Sequence, residues 1–255
     1  MKCVFLSLFA LVACQGDPAA KPAKALDPQD PRSVVEHAAH NTRSQKSYET
    51  KFKARLAVPK SDPLDYDGKC VWVSPGVLYT HFTVTGGDDK KIIRAGADKV
   101  WVYNPLVRWT TADEAGMAGA GRGIQNPDEV LAVLAKGPGT LKLLKPGVVE
   151  LAFKGEDIEK IMKEQAQQGA FDWKESSATV ELHVDGENRL QKFTCTATLK
   201  SADPKVAGAV TYTSQVEVTD YNKATDLKFY DGQKREIPLK PAMREAIENV
   251  LKERK

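Results

Sequence analysis

Cysteine is scarce in this chain: there are four in 255 residues, and Cys3 and Cys14 fall within the first fourteen positions. Cys70 and Cys195 are left for everything else, too few for a disulfide-dense scaffold. No CxxC pair occurs, and GxSxG, HExxH and Walker loops are also missing. Thiol-redox, serine-hydrolase, zinc-protease and nucleotide chemistry therefore lack their anchor residues. Histidine is equally sparse, with four. His37 and His40 share a helix face but have no evident third metal ligand, so a surface or helix-packing role accounts for them. No catalytic residue, metal or cofactor is expected.

Charge of one sign is missing too. Lys and Arg number 37 against 34 Asp and Glu, a formal net charge of +3, and no run of five or six like charges occurs. Nucleic acid calls for a concentrated basic face, so it is not an expected partner. Long apolar runs are absent, because Val4 to Val12 falls well short of the roughly 20 residues of a membrane span. Gly116, Gly119, Gly121 and Gly123 with Arg122 suggest a phosphate cradle. No strand feeds directly into that loop and no Lys-Ser/Thr follows it, so it reads as a lid or edge loop.

What is present begins at the first residue. Lys2, the apolar run and Leu11-Val12-Ala13 ahead of Cys14 have the layout of a secretory signal. Composition then turns abruptly to Ala, Pro, Lys and Asp in Gln15 to Pro31, an extended, solvated tether. This divides the chain into a signal peptide (1–13), Cys14 with its tether (14–31) and a single folded domain (32–255). Leu11 to Cys14 resembles the lipobox of bacterial lipoproteins. The resemblance implies cleavage before Cys14, lipid attachment to its sulfur, and a protein held in the cell envelope facing the periplasm. Gln15 after the cysteine, by resemblance to enterobacterial-type sorting, favours an outer membrane where the cell has one.

Beyond the tether, Asp30 caps and Pro31 opens a helix whose apolar face is Val34, Val35, Ala38, Ala39 and Thr42. From Tyr48 the period becomes two, with Tyr48, Thr50, Phe52, Ala54, Leu56 and Val58 on one phase. Further strands are expected at 69–74, 77–85, 90–95, 99–103, 107–111, 148–153, 179–184, 190–199, 209–218 and 227–230. Turn residues such as Ser74-Pro75-Gly76 and Asp185 to Asn188 separate them. Helices are expected after Asn126, over 157–167 and over 241–252. The total is about eleven strands and four helices, an α+β antiparallel meander. In a sequential sheet Cys70 and Cys195 lie about seven strands apart at roughly 4.8 Å per step, so they are expected to be reduced or, if joined, joined across the barrel and not between neighbouring strands.

The order of these elements, with Lys99 to Pro105 (KVWVYNP), Trp109, and a late strand ending Thr219-Asp220-Tyr221-Asn222, resembles the LolA/LolB-like and LppX/LprG-like envelope lipoproteins over residues 31–235. The glycine-rich 115–123 loop and the polar helix after Phe153 depart from that pattern. The resemblance implies an antiparallel sheet curled into an unclosed barrel, with helices packed on its concave side and an apolar cavity that accepts acyl chains. Of the strand aromatics Trp72, Phe82, Trp101, Trp109 and Phe193, some fill the core and some line such a cavity. The cleanest alternation assigns Phe52, Leu56, Trp72, Phe82, Leu182, Val184 and Phe193 to the cavity wall. The implied function is non-catalytic binding or transfer of lipid or lipoprotein acyl chains. The partners are the acyl chain, the membrane through the anchor, and a second envelope protein. The alternative is an envelope scaffold or stress sensor with the same fold and no lipid cargo.

Overall fold

The structure, a computed structural model, describes residues 25–85, 89–96, 99–115, 127–158, 171–202, 208–223, 227–231 and 233–252. Cys14, the signal segment, the first part of the tether and the loop glycines 116–123 with Arg122 lie outside the described residues. Eleven strands are present: β1 (Ser47–Ala57), β2 (Leu64–Val73), β3 (Val77–Val84), β4 (Lys90–Ala95), β5 (Lys99–Asn104), β6 (Arg108–Thr111), β7 (Thr140–Lys145), β8 (Val148–Lys154), β9 (Phe171–Val184), β10 (Leu190–Ser201) and β11 (Ala209–Thr219). All belong to one antiparallel sheet of order β6-β5-β4-β3-β2-β1-β11-β10-β9-β8-β7. Two meanders are thus joined through β1 and β11, whose register runs from Glu49 opposite Thr219 to Ala57 opposite Thr211. Strands β6 and β7 form the two free edges, so the curled sheet is an unclosed barrel.

The expected number of strands is found with a different membership. β7 is added, because its six residues sit between Gly137-Pro138-Gly139 and Pro146-Gly147 and are too short to show a clear period. The segment 227–230 is not a strand; it makes a single bridge, Tyr230 to Glu236, and turns Phe229 onto Tyr79 with ring centroids 3.4 Å apart. β2 and β9 begin earlier than expected, at Leu64 and Phe171. Asp65, Asp67, Gly68, Lys174 and Glu175 have low strand propensity, which pairing to both neighbours overrides in β2.

Three helices are described: α1 (Pro31–Arg43), α2 (Pro127–Lys136) and α3 (Pro241–Lys252). Asp30 caps α1 by accepting a 3.0 Å hydrogen bond from the Arg32 amide, worth about 1 kcal/mol. The predicted apolar face, Val34, Val35, Ala38, Ala39 and Thr42, is buried. The end of α1 is tied to the β9–β10 hairpin, where the Leu190 amide donates to Thr42 Oγ1 at 2.9 Å and Asn41 Nδ2 donates to the Glu187 carbonyl at 3.0 Å. α2 lies against α1, and the Arg32 guanidinium donates to the Ala135 carbonyl. The helix expected over 157–167 is found to start, with residues 156–158 helical, and its continuation lies outside the described residues.

Helices α1 and α2 cover the inner face, where one apolar cluster reaches from Val100 and Val102 on β5 to Leu141 and Leu143 on β7. The C-terminal helix takes the other face. Val71, Val77, Tyr79, Ile93, Ala95 and Trp109 make the outer side of β2 to β6 apolar as well, and Met243 and Ile247 of α3 pack there. Trp101 and Trp109 accordingly belong to this outer cluster and not to the concave wall.

The sheet order also corrects the distance between the cysteines. β2 and β10 are three strand steps apart, about 14 Å, and not seven, because β1 pairs with β11. Both cysteines are free.

Candidate functional site

Alternation on β1 sends Tyr48, Thr50, Phe52, Ala54 and Leu56 inward and Lys51, Lys53 and Arg55 outward. Register then builds a continuous row across the concave face. Phe82 lies opposite Gly68, Gly68 opposite Phe52, and Phe52 opposite Val216. Val216 faces Phe193, Phe193 faces Leu182, and Leu182 faces Val149. Four of the seven wall residues read from the sequence thus stand in one line over seven strands. Leu56 lies nearer one end of the sheet, opposite Tyr212, and Trp72 nearer the other, opposite Tyr48. Val184 pairs with Leu190 at the hairpin.

All seven share one apolar cluster, but burial divides them. Leu56, Trp72, Phe82, Leu182 and Phe193 are at most 3% exposed, whereas Phe52 and Val184 are half-buried. Gly68 makes the centre of the row possible. A Cβ there would lie 2.7 Å from Cζ of Phe52 and 2.5 Å from Cβ of Phe82, so the two rings meet across the bare glycine at a centroid distance of 6.4 Å. Sequence reading missed Gly68, although a lone glycine inside an alternating strand signals close approach.

The two ends of the concave face differ. At the end next to α1, Trp72 stacks on Tyr48 at 5.0 Å, Arg43 lies 5.5 Å from the Trp72 ring, and Arg189 lies 4.4 Å from Tyr221. Aromatic and cationic groups close that end. Toward the other end Phe52, Ala54, Val58, Val84, Phe171, Trp173 and Ala178 are only partly buried. The helix contacts with the inner face fall on β7, β8 and β10. On the inner side of β1, β2 and β3, Leu64 is exposed and Phe52, Ala54, Cys70 and Val84 are partly exposed, beside buried Tyr48, Leu56, Tyr66, Trp72, Leu78 and Phe82.

One row of the wall is polar. Tyr66 lies opposite Ala54, Ala54 opposite Ser214, and Ser214 opposite Cys195, with Tyr212 one pair further along β11. Burial raises the pKa of both phenols and pushes the Cys195 thiol up to about 12. Cys70 is likewise raised by burial, opposed by its contacts with Thr80 and Thr50. Neither thiol should alkylate in the native protein at pH 8, and both should in denaturant, as peptide mapping would read. A disulfide-linked Cys70–Cys195 peptide or rapid native labelling would contradict this.

Other candidates do not assemble into chemistry. His37 Nδ1 lies 2.9 Å from the Ser33 carbonyl within α1, and among the described residues no group of three His, Cys, Asp or Glu could hold a metal. A groove of ≈ 650 Å³ is rimmed by the outward-facing Lys51, Lys53, Asp67, Lys69 and His81 and is also lined by Phe52, Gly68 and Phe82 of the wall row. No described helix is long and apolar enough to cross a membrane.

No protein-family model matches the chain, and no curated protein matches it. Solved structures do. Lipoprotein LppX of Mycobacterium tuberculosis is 12% identical over 77% of this chain and 97% of its own, with a TM-score of 0.42. A LolA superfamily protein of Nitrosomonas europaea is 15% identical over 77% and 94%, with a TM-score of 0.31. MucB of Pseudomonas aeruginosa, solved with MucA, is 12% identical over 82% and 64%, with a TM-score of 0.37. Likeness at these values carries no information on ligand or partner.

Proposed function

We propose that this protein is a non-catalytic, lipid-anchored carrier of the bacterial cell envelope that holds a lipid or acyl chain against the concave face of its sheet. The observation that carries the reading is the inner wall itself: a phenylalanine-rich row across seven strands that stays half-open at Phe52, Ala54 and Val84. Such a surface binds apolar chains with few polar contacts. Phe82, Leu182, Phe193, Leu56 and Trp72 back the wall, while Phe52 and Val184 meet the chain. A tether ending at an acylated Cys14 keeps the domain beside the membrane that supplies its ligand.

Native purification followed by solvent extraction and mass spectrometry tests the carrier reading. Stoichiometric acyl chains are expected; an empty, stable protein overturns it and favours the scaffold or sensor alternative. The anchor is tested separately. Cys14→Ser should release the protein from the membrane fraction or leave it as an uncleaved precursor, and a processed variant that stays tightly bound contradicts the lipid anchor.

A further inference from the structure

The outward side of the sheet carries one cross-strand row in which basic side chains meet. Lys91 lies opposite His81, His81 opposite Lys69, and Lys69 opposite Lys51, before Glu217 follows on β11. Residues facing each other across antiparallel strands have Cβ atoms roughly 5 Å apart, and like charges placed so destabilise the pair. Each cation in such a row calls for a counter-charge.

The nearby acids are already engaged. Asp89 accepts from Lys91 Nζ at 2.7 Å and lies 2.9 Å from His81 Nε2, while Asp67 lies 3.8 Å from Lys53. Glu217, directly opposite Lys51, accepts a 2.8 Å hydrogen bond from Gln215 Nε2. Asp220, just beyond β11, attracts Lys51 but is bound directly by Lys223. Lys51 and Lys69 are left facing each other, with no ion pair of their own among the described residues.

Both lysines line the groove of ≈ 650 Å³, a volume that suits a small molecule and not a macromolecule. The same groove presents Asp67, Glu217, Thr83 and Gln215. A bare anion gains little there, because two carboxylates face it as well as the cations. A molecule that carries an oxyanion and several hydroxyls satisfies both sets: its charge meets the lysines, and its O–H groups donate to the carboxylates.

We propose that this groove binds a phosphorylated polyol, with phosphoryl oxygens between Lys51 and Lys69 and hydroxyls on Asp67 and Glu217. The charged lining points away from the acyl-binding wall, so the site does not rest on the carrier reading. A soluble sugar phosphate and a phospholipid head group share this chemistry.

Calorimetric titration of the full-length protein at low salt tests the site with glucose 6-phosphate, glucose, inorganic phosphate and dihexanoylphosphatidylglycerol below its micellar concentration. At least one of the two phosphorylated polyols should bind about tenfold more tightly than inorganic phosphate, and glucose should not bind. Lys51→Gln/Lys69→Gln should weaken that binding at least about tenfold. Lys192→Gln removes one charge from the same row outside the groove and should leave binding unchanged. Because both lysines are exposed and the change removes a like-charge pair, the double variant should melt at or above the wild-type temperature, with ligand raising Tm in the wild type alone. Preference for glucose 6-phosphate marks a soluble ligand, and preference for the phosphatidylglycerol that is lost in the double variant marks a lipid head group. Binding of neither, inorganic phosphate bound as tightly, or equal loss in Lys192→Gln overturns the site and leaves the carrier reading standing.

Discussion

Leu56→Ala should lower the unfolding free energy by about 2–5 kcal/mol, while Phe52→Ala costs much less. The two residues are on the same strand and the same face, two pairs apart. Leu56 is 1% exposed and packed between Leu64 and Tyr212, so truncation leaves an enclosed void. Phe52 is half-buried, and removing its ring extends a surface that is already open. Denaturant titration of both variants reads the stability difference, and diphenylhexatriene titration reads the wall. Weakened probe binding is expected for Phe52→Ala at near-native stability. If Leu56→Ala proves as stable as the wild type, Leu56 borders empty space and the cavity is larger than the packed cluster allows.

Gly68→Val should be the most damaging single change in the sheet, costing about 3 kcal/mol or more. A Cβ at this position comes 2.5 Å from the His81 carbonyl oxygen and 2.5 Å from Phe82 Cβ. Both atoms are fixed by the β2–β3 ladder, so relief requires parting the strands. The third contact, Phe52 Cζ at 2.7 Å, is the far end of a side chain that can swing away. Adding Phe52→Ala should therefore fail to rescue Gly68→Val, and rescue would show that the ring was the obstacle. Gly186→Ala is the control: nothing lies within 4 Å, and the change should stay within about 0.5 kcal/mol. Soluble yield and circular-dichroism melting decide all three.

Much of the wall was legible because alternation is local. A residue on the Tyr48–Leu56 phase shares a face with its neighbours whatever the strand later pairs with, so Phe52 and Leu56 lie on one face. Tyr212 and Ser214 are legible in the same way, as polar residues on the apolar phase of Ala209–Thr219. The register joining Phe82, Phe52, Phe193 and Leu182 into one row was not legible, because residues 52 and 193 become near neighbours only through β11. Gly68 depends on the same register: it matters because of what lies opposite.

By itself the amino-acid sequence determined the strand-rich class, the capped first helix, most turns, and which residues share a face within each strand. These follow from nearest-neighbour sterics, capping and a period of two, which act over a few residues. Only the tertiary structure decided that β1 joins β11, bringing the two cysteines within three strands, and that β6 and β7 are left as free edges. It also decided which face each helix takes. On β2 to β6 both phases are apolar, so local pattern cannot choose, and α3 settles on the outer face where Val71, Tyr79, Ile93 and Trp109 await burial. Pairing and helix docking are contacts between distant segments, set by total buried area and hydrogen-bond closure over the whole sheet.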